Sequence, residues 1–539
     1  MDPLWISTAF LLGFAVRQVG LPPLVGFLLA GFALNALGAE GGAFLQEVSD
    51  LGVTLLLFTI GLKFKVKSLL QPEIWAGTTL HMTITAALFG GALLTLSASG
   101  IALFAPLVDF KLALLVAFAL SFSSTVFAVK VLEDKAEMAS FHGRVAIGIL
   151  IMQDILAVIF LTASTGKLPS PWALALLPLF FILRPVMMRL MEKSGHGELM
   201  ILFGLFLALV VGASGFELVG LKRDLGALII GIMIANHPKA GELANHLMGF
   251  KDMFLVGFFL SIGLSAEPTW EALAVGALLA GVMPVKVVLF FLLLTRFKLR
   301  ARTATLAAFS LANYSEFGLI VAALAAGNGW IDSAWLVTLA IALALTFLLA
   351  APLNTYAQKI YNRSADRLKR FETRRRHPED TPIDPGDAEI VVFGMGRIGT
   401  SAYDTMVAHY GDVVIGIDFC REVVERQKAT ARRVTLGDPT DPDFWERARP
   451  ANTDRKGRIK MAVLAMPKHA ANLAAAKFMR QMGFENVIVT TAHYPDEIPE
   501  LREAGADAAF DFRTEAGIGL AEEAHLMLEE HLLRQQRTD

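Results

Sequence analysis

Only one cysteine, Cys420, occurs in 539 residues, which excludes an internal disulfide framework and any site built from several thiolates. An excess of either charge is also lacking. Lys and Arg number 48 against 50 Asp and Glu, so nucleic acid is not expected as a partner. The opening Met1-Asp2-Pro3-Leu4 has no basic segment ahead of its apolar run and does not read as a secretory signal. Charge of any sign is scarce over residues 1–351, where 41 side chains are charged, about 12%; the other 188 residues hold 57, about 30%. Globular domains average roughly 25%. The first part therefore reads as immersed in lipid and the second as soluble.

What fills the first part is a series of apolar runs. A helix needs about 20 apolar residues to span the hydrocarbon. The runs predict about thirteen spans, near 3–17, 22–37, 48–62, 74–98, 112–132, 143–163, 171–190, 198–215, 223–236, 250–265, 270–295, 302–326 and 332–351. With a cytoplasmic C-terminal domain, that count puts the N-terminus outside. The inner loops then carry Arg17, Lys63, Lys65, Lys67, Lys135, Arg144, Arg184, Arg189, Lys193, Lys239, Lys251, Arg296, Lys298, Arg300 and Arg302. The outer loops carry only Lys111, Lys167, Lys222 and Arg223. This is the positive-inside asymmetry. Residues 352–386 change character: 359–377 read as a basic helix facing anionic lipid, and 378–386 as a linker. The expected domains are thus 1–351, 352–386 and 387–539.

Beyond the linker, apolar runs at 389–393, 413–417, 433–435, 461–465 and 486–490 alternate with amphipathic segments, the pattern of a parallel, doubly wound, Rossmann-like sheet. Gly394-Met395-Gly396-Arg397-Ile398-Gly399 lies between a strand and a helix, and Asp418 closes the next strand, 19 residues after Gly399. The glycines permit a tight turn and close approach of backbone to phosphate at a positive helix end; Asp418 would accept hydrogen bonds from ribose hydroxyls. Asp438 follows the third strand, where an adenine edge could be read. The expected ligand is an adenine nucleotide, AMP or NAD(H); the alternative is a glycine turn that has lost its ligand. No general acid and no second folded domain accompany this motif. The nucleotide is expected to be sensed or structural, and the protein is not expected to be an enzyme.

In the membrane part, an ionisable side chain at depth is costly and by default functional. Asp154 sits mid-span beside Gln153. A desolvated carboxyl there can hold a proton or a cation, rarely both, which is the minimum chemistry of exchange; the alternative is an Asp that only cross-links helices. Lys286, in the eleventh run, is expected to pair with a carboxylate or backbone carbonyls, or to snorkel. Glu316 in the twelfth run and Ser121-Phe-Ser123-Ser124-Thr125 in the fifth interrupt apolar helices at corresponding places in two halves. Unwound helices of inverted repeats present carbonyls to cations in this way, although isolated Ser and Thr more often pack helices. His81 and His142 read as structural or interfacial. With Asp154 as the single acid, one-for-one exchange is the simplest stoichiometry.

The chain resembles the Kef-type potassium/proton antiporters of the cation:proton antiporter-2 superfamily, over nearly its whole length. The resemblance is carried by Gly20-Leu-Pro-Pro-Leu-Val-Gly-Phe-Leu-Leu-Ala-Gly31, Leu57-Phe-Thr-Ile-Gly-Leu62, Ser123-Ser-Thr125, Gln153-Asp154-Ile155, Phe259-Leu-Ser-Ile-Gly-Leu264 and Glu316-Phe317. The soluble part resembles the TrkA-N (RCK-type) nucleotide-binding domain in Gly394–Gly399 and Gly437-Asp438. The resemblance implies a polytopic helical homodimer with inverted repeats and crossed broken helices. It also implies elevator-like exchange of K+ for H+, with K+ bound near Asp154 and regulation by ligands of the soluble domain. Two departures count against gating by glutathione: the loop before the tenth run holds Glu242 as its only acid, and Thr490-Thr-Ala-His493 stands where glutathione-gated members have arginines. An ancillary subunit remains open, as does sodium in place of potassium. A ligand-gated potassium channel would need a TVGYG-type filter, which the sequence lacks.

Overall fold

In lipid the backbone has no partner but itself, so apolar runs must close into helices. The computed structural model describes residues 3–18, 23–39, 41–62, 69–98, 104, 109–135, 137–138, 140–164, 173–195, 197–219, 223–264, 269–332, 334–448 and 459–536. Lys63, Lys65, Lys67, Lys167 and Lys222, all used in the loop count, lie outside them. The membrane part contains α1 (Pro3–Gln18), α2 (Pro23–Ala36), α3 (Ala43–Leu62), α4 (Pro72–Ser97), α5 (Phe110–Ser121), α6 (Thr125–Asp134), α7 (Phe141–Ser164), α8 (Ala173–Lys193) and α9 (Glu198–Glu217). It continues with α10 (Arg223–Ile234), α11 (Ala240–Leu264), α12 (Trp270–Gly281), α13 (Met283–Arg296), α14 (Ala301–Ser310), α15 (Glu316–Gly327) and α16 (Ala334–Thr355). Among the described residues, five stretches are long and apolar enough to cross a membrane alone: Pro72–Ser97, Phe110–Leu132, Glu198–Glu217, Trp270–Arg296 and Ala334–Thr355.

The fifth and twelfth runs are each two helices, broken at the polar clusters that the sequence marks. The eleventh run also breaks, at Val282, which the sequence reading missed. Pro284 lies in the first turn of α13, where its absent N–H costs no hydrogen bond.

Glycine pairs set the closest helix crossings, and they repeat across the two halves. A Cβ on Gly31 would lie 2.6 Å from the Leu260 carbonyl oxygen, and one on Gly263 2.5 Å from that of Leu28, so α2 and α11 meet backbone to backbone. The same holds for α3 and α10, where a Cβ on Gly61 would lie 2.5 Å from the Leu228 oxygen and Gly231 faces Phe58. Gly26 backs onto Gly13 between α2 and α1, and Gly226 onto Gly212 between α10 and α9. The α1–α2–α3 set is thus mirrored by α9–α10–α11, and the glycines of Leu57-Phe-Thr-Ile-Gly-Leu62 and Phe259-Leu-Ser-Ile-Gly-Leu264 are contact points of an inverted repeat. Small residues do this work in lipid because close packing, not water exclusion, joins the helices. Gly61→Ala is expected to cost about 1–3 kcal/mol by overpacking. In detergent its melting temperature falls by several degrees, whereas Gly91→Ala, whose Cβ meets nothing within 4 Å, leaves it unchanged or slightly higher.

The chain divides into two compact units, one of residues 1–130 with 145–375, the other of 131–144 with 376–539. The first ends in α17 (Ala357–Leu368), a basic amphipathic helix that buries Ala357 and Tyr361. In the second, residues 378–386 are not a free tether, because Ile383 joins the core of the sheet. That sheet comprises β1 (Ile390–Phe393), β2 (Val414–Asp418), β3 (Val434–Leu436), β4 (Met461–Leu464), β5 (Val487–Ala492) and β6 (Ala508–Asp511). All pairs are parallel, in the order β3-β2-β1-β4-β5-β6. Helices α18 (Arg397–Tyr410), α19 (Arg421–Ala429), α20 (Pro442–Ala448), α21 (His469–Gln481) and α22 (Glu497–Glu503) connect them. Strand β1 is buried on both faces: Val391 and Phe393 pack with Phe444, Leu464 and Ile488, while Ile390 and Val392 pack with Tyr403, Val414 and Val463. Strand β6 had not been read from the sequence. The last helix, α23 (Phe512–Gln536), follows this edge strand and buries none of its described side chains.

Candidate functional site: a crossover of broken helices and a nucleotide cradle

The two broken helices are tied together at their breaks. After α5 the chain turns extended at Phe122 and is non-helical through Ser123 and Ser124 before α6 begins at Thr125; after α14 it is irregular until Ser315 caps α15. Ser123 Oγ donates to the Leu311 carbonyl at 2.9 Å, and Ser124 N donates to Asn313 Oδ1 at 2.6 Å. Gly318 of α15 is pressed against the Ala119 carbonyl of α5, leaving no room for a side chain. Freed backbone groups in a membrane must be re-satisfied by such partners. Gln153 supplies two more contacts. Its Oε1 accepts from Ser123 N at 2.9 Å and its Nε2 donates to the Ser121 carbonyl at 3.3 Å.

Charged groups sort by helix end. Lys286 is fully buried rather than snorkelling, and has no carboxylate partner among the described residues: Nζ donates to the Phe122 carbonyl at 2.7 Å and the Asn313 carbonyl at 3.0 Å, 4.9 Å above the Tyr314 ring. It thus sits at the carbonyl ends of α5 and α14, where a helix dipole favours a cation. Asp154 lies at the opposite kind of end, because its Oδ2 accepts from the hydroxyl of Thr125, first residue of α6, at 3.0 Å. Its Oδ1 is buried without a hydrogen-bond partner among the described residues. Glu316, first residue of α15, is buried, and its Oε2 accepts from the Ser315 hydroxyl at 3.5 Å.

The structure thus brings Ser123, Ser124, Thr125, Gln153, Asp154, Lys286 and Glu316 to one crossover. The sequence reading had not singled out Asn313, Tyr314 and Thr346. Asn313 joins Ser124 to Lys286, Thr346 Oγ1 accepts from Tyr314 N at 3.0 Å, and the Tyr314 hydroxyl donates to the Leu279 carbonyl at 2.6 Å. The available signal was Asn313-Tyr314-Ser315 directly ahead of Glu316. His81 is buried and stacks on Phe290, one turn from Lys286, with ring centroids 3.4 Å apart. His142, in the other unit, is paired with Glu137 at 3.1 Å.

In the soluble unit the glycine motif forms the turn that the sequence implies. Gly394 has φ of +89°, in the region that favours glycine, and a Cβ there would lie 2.8 Å from the Ala465 carbonyl. Gly396 caps α18 and faces open space, so backbone amides are accessible there, while Gly399 packs against the Gly394 carbonyl. Arg397 and Ile398 are exposed in the first turn. Asp418, at the end of β2, accepts from Met395 N at 2.8 Å and Cys420 N at 2.7 Å. Burial pushes its carboxyl above the ordinary range, opposed by those two amide hydrogen bonds. Asp438 accepts from the amide and hydroxyl of Thr440 within its own turn.

Residues 131–144, from the last turn of α6 to the first turn of α7, belong to this same unit, beside the cradle. Arg144 donates to the carbonyl of Phe419, next to Asp418, at 3.3 Å and pairs with Glu379. Arg421 holds the other oxygen of Glu379 at 2.6 Å, and Phe141 stacks on His377 with centroids 4.9 Å apart. Burial raises the Glu137 carboxyl, but the charge and hydrogen bond of His142, with Lys135, hold it below its ordinary value against the nearby Asp438.

A family model described as sodium/hydrogen exchanger, transmembrane, matches residues 6–355, and one described as TrkA-N domain matches residues 390–511. The chain belongs to the sodium/hydrogen exchanger family. This exchanger is similar to the glutathione-regulated potassium-efflux system protein KefC of Cronobacter sakazakii, 28% identical over 93% of this chain and 80% of that one. The KefC of Salmonella schwarzengrund is 27% identical with the same coverage. Among solved structures, the sodium proton antiporter MjNhaP1 of Methanocaldococcus jannaschii aligns over 66% of this chain and 96% of its own, with a TM-score of 0.45 and 15% identity. The exchanger is a multi-pass inner-membrane protein of Kef type with a cytoplasmic regulatory domain, and these relatives are transporters.

Proposed function

We propose that this exchanger carries potassium out in return for protons, by alternating access, with Asp154 as the carrier. The observation that supports this most is the buried, half-partnered carboxyl of Asp154 at the crossover. Asp154 is a buried carboxyl tied by Oδ2 to Thr125, with Oδ1 left without a hydrogen-bond partner among the described residues, a place that one proton or one monovalent cation fills, but not both. A cation entering at the free Oδ1 of Asp154 would find Ser123, Ser124, Thr125 and Glu316 nearby, with Gln153 and Asn313 holding the unwound backbone in place. One-for-one, electroneutral exchange is the simplest stoichiometry for one such carboxyl. In proteoliposomes, an outward potassium gradient is expected to drive proton uptake, with little response to an equal sodium gradient. A response to sodium alone would make it a sodium/proton antiporter, and current through an open pathway would make it channel-like.

The soluble domain binds an adenine nucleotide, AMP or NAD(H), through the amides at Gly396, Arg397, Ile398 and Gly399, the turn at Gly394, and the carboxylate of Asp418, with Asp438 at the adenine side. It acts as a sensor and carries out no reaction on the nucleotide. Regulation is supported by residues 131–144, which belong to the cytosolic unit and run directly into the helix carrying Asp154. Glutathione is not expected to gate this chain. Asp418→Ala is expected to weaken AMP binding by tenfold or more in calorimetry, the loss of hydrogen bonds to a charged group worth about 1.5–3 kcal/mol. Undiminished binding would move the ribose elsewhere.

A homodimer is supported by α23, whose exposed Ile518, Leu520, Leu526 and Met527 lack cover. An isolated helix is marginal in water, so a second copy is the natural partner. The positive-inside count favours thirteen crossings with the N-terminus outside.

A further inference from the structure

At the end of α8 that the basic-residue count assigns to the cytoplasmic face, two cations have no counter-ion among the described residues. Arg189 and Lys193 are exposed, one helical turn apart, and neither makes a hydrogen bond or ion pair among the described residues. Capping the last turn of α8 does not require them, because Lys239 Nζ donates to the carbonyls of Glu192 at 3.1 Å and Gly195 at 3.0 Å. The nearby acids are engaged or placed elsewhere. Glu192 lies 3.8 Å from His237, and Glu198 is in the first turn of α9, where the amide end of the helix favours it.

Beside this basic pair opens a groove of about 470 Å³, walled by Leu190 and Lys193 of α8 and by Leu199, Leu202, Phe203 and Phe206 of α9. Its walls are hydrocarbon except at the end formed by Lys193 and Ser194, whose hydroxyl is turned back to the Leu190 carbonyl at 2.7 Å. It stops at Phe206, where α9 changes from α-helical to π-helical through Ser214, with Ser214 Oγ bonded to the Leu209 carbonyl at 3.0 Å. A π-helical segment is intrinsically poor and recurs where a site needs its shape. Leu190, Leu199, Leu202 and Phe206 are 45–62% exposed, so the apolar wall is open to the bilayer.

We propose that this groove is a binding site for an anionic phospholipid of the cytoplasmic leaflet, with an acyl chain along Leu202 and Phe206 and the phosphate between Lys193 and Arg189. A zwitterionic lipid would fill the groove equally well but would bring no net charge to the two cations. A free phosphate would meet the cations and leave the groove empty. Each basic side chain near an anionic leaflet is worth about 1 kcal/mol, so the pair gives a preference of roughly tenfold or more over a neutral lipid.

The test uses the full-length protein in detergent, with phosphatidylglycerol, phosphatidylcholine or inorganic phosphate added, read as melting temperature and as lipid retained per chain. The proposal requires that phosphatidylglycerol raise the melting temperature by a few degrees, as binding to the folded state must, and that the other two do so less. It also requires that Arg189→Gln with Lys193→Gln abolish the preference for phosphatidylglycerol. Leu202→Trp, which fills the groove and keeps both charges, should reduce lipid retention in parallel. Equal effects of the two lipids, an equal effect of inorganic phosphate, or a preference surviving the double substitution would overturn it. So would loss of the dimer in the Leu202→Trp variant with lipid preference intact, since a second copy would then cover this face. None of these readouts depends on transport, so the proposal can fail without touching the exchange mechanism.

Discussion

Asp154→Asn is expected to reduce cation-dependent proton flux to the level of protein-free liposomes while leaving the fold intact. The substitution keeps the shape and the acceptor for Thr125, now 3.0 Å from Oδ2, so the tie between α6 and α7 survives. It removes the one property that exchange needs, a group alternating between proton and cation. Stability is expected to change by no more than about 1 kcal/mol, the usual net value of a neutral hydrogen bond. Residual potassium-driven flux in a folded Asp154→Asn protein would make the aspartate structural and shift the carrier to Glu316.

The second large effect is on Lys286. Replacing it with Met keeps the length and apolar stem but leaves the Phe122 and Asn313 carbonyls buried without a donor. Each unsatisfied buried group costs about 1–3 kcal/mol, and the carbonyl ends of α5 and α14 lose a cation worth up to ~2 kcal/mol in a partly buried setting. A destabilisation of about 3–5 kcal/mol is expected, with loss of transport at temperatures where wild type is active. Lys286→Arg cannot serve as a neutral control, because a planar guanidinium would not fit a position shaped around an ammonium. Wild-type melting behaviour in Lys286→Met would show that the carbonyls have other partners and that the lysine belongs to the transport path instead.

Much of this was legible in the sequence because membrane depth makes polarity conspicuous. Asp154, Lys286, Glu316 and the serines around Ser123 stand out against apolar neighbours, and the Gly394–Gly399 turn is flanked by its strand and helix. What the sequence hid is nonlocal. Ser124 finds its partner in Asn313, 189 positions away, and nothing near either residue announces the pairing. The tie of Ser123 to Leu311, 188 positions away, was hidden for the same reason. Strand β6 escaped notice because Ala508-Ala509-Phe510-Asp511 has little β propensity of its own. It is held by pairing with β5 and by Asp507, whose Oδ2 accepts from Ile488 N at 2.7 Å. The membership of residues 131–144 in the cytosolic unit was equally invisible, since Arg144 counts as an ordinary inner-loop cation until its contacts with Glu379 and Phe419 are seen.

The central claim is that proton and potassium compete for one crossover. The most direct test is the potassium concentration giving half-maximal flux, measured in proteoliposomes across a series of pH values. Competition by a single proton predicts that this concentration rises tenfold for each unit of acidification, once the site is mostly protonated, with the maximal rate unchanged. A half-saturating potassium concentration that stays constant with pH while the maximal rate falls would mean that the two ions bind independently, and would contradict the account.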